Sequence, residues 1–197
     1  MPGPGEERDE VLAERCRDGD LEAFAALYER YRRPILAYLW QIVRDYDEAG
    51  CIAHDVFLKL FTRAERFDSR RRFATWLYAV ARHAALDRLR ARQRRVQVSF
   101  ADLDEEGGIA EPADARLPPV EAALFGAEAK ARVARAVSEL PQIYREIIEL
   151  IVYQELSYEE ASAVLGGISP GTLRSRMFHA LRLLRARLRD DDACAPR

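Results

Sequence analysis

No apolar run in this chain approaches the ~20 residues that a membrane-spanning helix needs, and no membrane insertion is expected. The opening stretch MPGPGEERDE carries neither the basic flank nor the apolar core of a secretory signal, so a cytoplasmic location is the expectation. Cysteine is scarce. Cys16, Cys51 and Cys194 are odd in number and far apart, which fits neither a disulfide framework nor a C-x-x-C metal pair and leaves small buried or incidental thiols. Histidine is equally sparse: His54, His83 and His179 are scattered, with no H-E-x-x-H and no G-x-x-x-x-G-K-[ST] loop. The acids cluster in one segment instead of pairing across a site. The chain therefore reads as no enzyme, and no metal or cofactor is expected.

Charge in bulk is also nearly absent, with a formal net of −2 over 197 residues, yet that total hides strong segregation. Residues 62–95 carry eleven arginines against Glu65, Asp68 and Asp87, a net of +8. Residues 99–128 reverse the sign, with eight acids against Arg116 and a net of −7. That acidic stretch also holds Gly107-Gly108, Pro112 and Pro118-Pro119 and shows no sustained period, the mark of a linker. A structureless stretch of ~30 residues at the centre of one compact domain would be unusual. Two small domains are expected, over 8–95 and 128–189, joined by an acidic flexible linker over 96–127.

What is present is helical periodicity. Phe24, Leu27, Tyr28, Tyr31, Ile35, Tyr38, Leu39 and Ile42 recur at steps of three and four, with Pro34 a possible kink. Val56, Phe57, Leu60 and Phe61 continue the pattern, and Phe73, Trp76, Leu77, Val80 and Ala84 give a third stripe that places Tyr78 and Arg82 on its outer face. No strand run competes, so the fold class is all-α. In the second half Ser157 and Glu160 stand at capping-box spacing, Gly166-Gly167 ends that helix, and Ser169 with Pro170 opens another. This is the grammar of a helix-turn-helix.

The last helix, from Ser169 to Arg189, holds six arginines and no carboxylate. Its apolar face is Leu173, Met177, Leu181, Leu184 and Leu188, which leaves Arg174, Ser175, Phe178 and Arg182 pointing outward. Like charges at i,i+4 cost ~0.2–0.5 kcal/mol each, so an unrelieved arginine face favours a polyanionic partner over simple solvation. The second helix of such a motif offers its first turns to base edges in the major groove.

Two stretches resemble the extracytoplasmic-function (ECF) sigma factors of bacterial RNA polymerase, members of the sigma-70 family. FAALYERYRRPILAYLWQIVRDYDEAGCIAHDVFLKLFTRAERFDSRRRFATWLYAVARHAALDRLR is similar to sigma domain two. ELPQIYREIIELIVYQELSYEEASAVLGGISPGTLRSRMFHALRLLRARL is similar to sigma domain four. The resemblance implies a transcription-initiation factor whose partners are the RNA polymerase core and promoter DNA, and it admits an anti-sigma factor as a third. It matches the helix around Asp47, Glu48, His54 and Asp55 to core binding. Arg66, Phe67, Asp68, Ser69, Arg70, Arg71 and Arg72 fall on the loop that captures an unpaired minus-ten base. Tyr78, Arg82 and His83 lie on the helix beneath the melted strand. Thr172, Arg174, Ser175 and Arg176 fall on minus-thirty-five recognition positions, with Phe178 beside them. The chain departs from the family pattern at Gly50, Cys51 and His54 in the core-binding helix, at His83, and in a turn one residue longer before the recognition helix. Two other readings stand beside this one: a helix-turn-helix regulator that binds duplex DNA alone, and a sigma-like decoy that engages regulatory proteins.

Overall fold

The computed structural model describes residues 7–62, 67, 68, 70–101 and 127–194. The described residues contain helices and turns and no strand. The chain divides into two units, Met1–Ala115 and Arg116–Arg197.

The first unit is built on α2 (Leu21–Val43), which packs against α1 (Asp9–Arg17), α3 (Tyr46–Thr62) and α4 (Phe73–Ala101). Asp20 caps α2, its carboxylate accepting the Glu22 and Ala23 N–H groups at 2.9 and 3.1 Å. Those bonds, the one from Ala23 foremost, together with Arg15, hold the Asp20 carboxyl below its ordinary value. The cap is therefore present at neutral pH and lost only as pH falls through that lowered value. The helix runs unbroken through Pro34 and ends at Arg44, whose φ of 57° is left-handed. Leu27, Ile35, Tyr38 and Leu39 of α2 and Leu60, Phe73, Leu77 and Tyr78 of α3 and α4 are all fully buried.

That core corrects the expected stripe of α4. Trp76, Val80 and Ala84 are only half-buried, whereas Phe73, Ala74, Leu77, Tyr78, Ala81 and Ala85 are buried. Because α4 packs against both α2 and α3, it buries a wide arc, and the alanines at 81 and 85 let neighbouring backbones approach. A pattern read from large apolar residues passes over such alanines. α4 also continues to Ala101, beyond the expected boundary at 95, and the next described helix begins at Ala127; the acidic residues of the expected linker, from Asp102 to Glu121, lie outside the described residues.

In the second unit α8 (Pro170–Cys194) is packed by α5 (Ala127–Ser138), α6 (Gln142–Ile148) and α7 (Tyr158–Val164). A π-helical turn, Glu149–Tyr153, extends α6. The buried Arg145 donates to the carbonyls of Ser138 and Leu140 at 3.2 and 2.5 Å, closing the turn between α5 and α6. Ser157 and Glu160 make the expected reciprocal capping box, at 2.7 and 3.1 Å. Gly166 and Gly167 then lie at φ of +83° and +85°, where only glycine sits without strain, so the longer turn is made by two successive left-handed residues. Removing one cap tests how far this unit depends on it. Ser157→Ala should lower the unfolding free energy by about 1 kcal/mol, read from the urea midpoint of the second unit's transition.

Candidate functional site

α3 buries Ala49, Ile52, Ala53, Val56, Phe57 and Leu60 toward α2 and α4 and leaves Asp47, Cys51, His54, Asp55 and Leu58 exposed. Three of the four residues matched to core binding, Asp47, His54 and Asp55, thus share one outer face. Glu48 is different: its side chain is 18% exposed and accepts from Arg88 Nε of α4 at 3.0 Å. Its charge ties two helices together. Leu58, 51% exposed, adds an apolar element to this face that the sequence reading passed over, while Phe61, expected in the buried stripe, is 43% exposed and stands edge-on to Phe24 at 5.3 Å. The signal was available, since Leu58 continues the 47, 51, 54, 55 spacing on a side that is otherwise polar.

Between α3 and α4, Arg66 and Ser69 lie outside the described residues. Asp68 organises the part that is described, its carboxylate accepting Arg70 N–H at 3.1 Å and its carbonyl accepting Arg71 N–H at 2.9 Å. Arg70 and Arg71 are exposed and Arg72 is half-buried. The expectation that Phe67 faces DNA is corrected. It is 6% exposed and stands edge-on to Phe73 and Trp76, at ring distances of 5.5 and 5.8 Å. Burial of an aromatic ring among aromatic rings gives the loop a hydrophobic foot, and the charged neighbours stay outside.

Tyr78 is corrected for the same reason. Its ring is fully buried and meets Tyr38 at 5.0 Å, inside the α2–α4 contact. His83 is exposed, and its Nδ1 lies 2.9 Å from the Ala79 carbonyl. A carbonyl can only accept, so Nδ1 carries the donated hydrogen. Arg82 is half-buried beside it.

In the second unit Ser169 Oγ accepts Thr172 N–H at 3.2 Å and lies 2.9 Å from the Thr172 hydroxyl, which fixes the start of α8. Leu173, Met177 and Ala180 are buried beneath. At 100° per residue the exposed Arg174, Ser175, Phe178 and Arg182 fall on the opposite side, with Thr172 and Arg176 at its margins. Leu181 departs from its expected place in the buried face. At 40% exposure it joins Phe178, Ala186 and Arg182, Arg185 and Arg189 along a shallow groove of about 560 Å³.

The arginines of α8 are also less alone than their own helix implies. Arg174 approaches Glu159 of α7 at 3.6 Å and lies over the Tyr158 ring at 5.1 Å, and Arg187 pairs with Glu139 at 3.0 Å. Exposed pairs of this kind are worth ~0–1 kcal/mol, too little to satisfy the face. What the surface offers is a cationic stripe on a capped helix.

Among the described residues no group of three or more metal-ligating side chains comes together, and no helix is long and apolar enough to cross a membrane. Cys16 is buried, and burial pushes its thiol up to about 11, which keeps it protonated; Cys51 is exposed.

The Sigma-70 region 2 family matches residues 27–95, and the Sigma-70, region 4 family matches residues 130–184. The chain is 33% identical over 178 residues to the RNA polymerase sigma-H factor of Pseudomonas aeruginosa, covering 89% of this chain and 91% of that protein. It is 30% identical to the ECF RNA polymerase sigma factor SigW of Bacillus subtilis, covering 89% of this chain and 94% of that one. Among solved structures it is similar to the sigma factor RpoE of Bartonella quintana, crystallised with the anti-sigma factor NepR. There the TM-score is 0.66 at 23% identity, over 86% of this chain and 98% of that one, a likeness of fold. With both sigma-70 regions in order and relatives at 30% identity or better along almost the whole sequence, the chain belongs to the extracytoplasmic-function sigma factors of the sigma-70 family, which direct bacterial RNA polymerase to promoters.

Proposed function

We propose a division of labour within this sigma factor. The outer face of α3, with Asp47, His54, Asp55 and Leu58, docks on the polymerase core. The loop ending in Arg70, Arg71 and Arg72 holds an unpaired minus-ten base, with Arg82 and His83 flanking the separated strand. Thr172, Arg174, Ser175, Arg176 and Phe178 read the minus-thirty-five element in the major groove. The observation that carries this reading is the exposed Arg174, Ser175, Phe178 and Arg182 stripe on a helix capped by Ser169 and seated on α7. Action in the cytoplasm, and control by an anti-sigma factor of the kind bound in the Bartonella structure, belong to the same proposal. No catalytic group enters it.

Strand separation needs a cationic surface that keeps bases apart once they are unpaired. Replacing Arg70, Arg71 and Arg72 together by Ala should reduce run-off transcription from a duplex promoter by about tenfold, the weight of one charged hydrogen bond of ~1.5–3 kcal/mol. A template with a preformed bubble should lose much less. Equal loss on both templates would remove the loop from melting.

A further inference from the structure

The region 2 match begins at residue 27, so α1 and the first six residues of α2 lie outside it, and nothing in the proposed division of labour uses them. Yet α1 reaches the start of α4. Glu10 Oε1 accepts the Phe73 N–H at 3.0 Å across 63 positions, while Oε2 accepts from Arg8 at 3.3 Å. The Glu10 side chain is only 19% exposed. Its neighbour Asp9 accepts from the Tyr31 hydroxyl at 2.5 Å and from the Arg30 guanidinium. Burial first, and then Asp9, push the Tyr31 phenol well above its ordinary value, so it remains a donor. The Tyr31 ring stands edge-on to Phe73 at 5.4 Å, and Phe73 meets Phe67 at 5.5 Å. Two consecutive acids of α1 therefore secure both the backbone and the ring of the residue that closes the arginine loop.

The start of α4 has an electrostatic problem that this arrangement answers. A helix N-terminus leaves N–H groups without partners and carries partial positive charge, and here Arg70, Arg71 and Arg72 immediately precede it. α4 has no acid in its first turn, and Arg72, at the capping position, has no side-chain acceptor. The described acid of the loop, Asp68, turns its carboxylate to the Arg70 N–H. A carboxylate delivered from α1 satisfies one N–H and offsets the charge from behind, while Arg70 and Arg71 stay exposed.

We infer that Glu10 is a positioning residue for promoter melting, fixing the start of α4 so that the arginine loop is preorganised for the unpaired base. This rests on the proposed melting role of that loop. Run-off transcription with core polymerase, on duplex and premelted templates, tests it with Glu10→Ala, Glu10→Gln, the triple arginine variant, and the triple variant combined with Glu10→Ala. Glu10→Ala should lose about fivefold on the duplex, the effect of one helix cap, and little on the premelted template, with core affinity unchanged. Glu10→Gln keeps an acceptor oxygen and should fall between; it carries the test if thermal melting shows Glu10→Ala to be unfolded. The combined variant should be no worse than the triple variant, because both changes act through one loop. Equal losses on both templates, additive losses, or no loss would overturn the inference. If the triple variant loses nothing on the duplex, the melting role itself fails; if it loses and the Glu10 variants do not, only the role of Glu10 fails.

Discussion

Replacing Arg174 and Arg176 together by Ala is expected to lower transcription from a minus-thirty-five-dependent promoter by about thirtyfold or more, with core binding intact. Both residues lie in the first two turns of α8, the exposed Arg174 on its outer face and the half-buried Arg176 at the margin. A good base contact in the major groove carries ~1–3 kcal/mol, and two of them account for the expected loss. Stability gives the variant no alternative route to that loss. The Arg174 partners in the free protein are an exposed carboxylate at 3.6 Å and a ring at 5.1 Å, and exposed pairs contribute ~0–1 kcal/mol. The second unit should therefore melt within a few degrees of the parent. On a promoter lacking a minus-thirty-five element the variant should match the parent. Unchanged transcription from the dependent promoter would remove α8 from recognition.

The second large effect concerns the polymerase: the purified protein alone should bind its promoter duplex weakly, and core enzyme should tighten binding by about a hundredfold or more, the scale of avidity between linked sites. The segment between Ala101 and Ala127 can span at most ~86 Å at ~3.3 Å per residue. Promoter elements two helical turns apart are separated by ~70 Å. The connection reaches, but its length alone does not hold two units at that spacing. The acids of residues 99–128 are also expected to compete with DNA for cationic surface, most strongly at low salt. A core enzyme that holds the units apart and takes up the acidic segment removes both handicaps. Titration of labelled duplex at physiological salt, with and without core, reads the difference. Sequence-specific nanomolar binding by the protein alone, indifferent to core, would establish a self-sufficient helix-turn-helix regulator instead.

Much of the candidate site was legible because it depends on interactions close in sequence. Ser157 with Glu160, and Ser169 with Thr172, are bonds between residues three apart, so residue type and spacing suffice to read them. The outward set Arg174, Ser175, Phe178 and Arg182 follows from helix geometry once Leu173 and Met177 are taken as the seat. The charge reversal between residues 62–95 and 99–128 needs only counting. Leu181 was misplaced because the buried face of α8 is completed by Ala180, fully buried and small, and a reading weighted toward large side chains favours the leucine.

The all-α class, the Ser157 and Ser169 caps, the turn glycines and the segregation of charge could be read from residue order alone, each set by local periodicity or by neighbours within a few residues. Which way the middle of α4 faces depends on long-range packing. Contact with two helices buries a wide arc, so Tyr78 goes inward to Tyr38 and Phe67 becomes the foot of the arginine loop. The partners of Glu48, Arg174 and Glu10 were decided in the same way. Arg88 lies 40 positions from Glu48 and Phe73 lies 63 from Glu10, and Arg174 meets Glu159 across the turn between α7 and α8. A side chain's spacing along its own helix gives the direction it leaves the backbone; what it meets there depends on how neighbouring helices pack, which no local pattern contains.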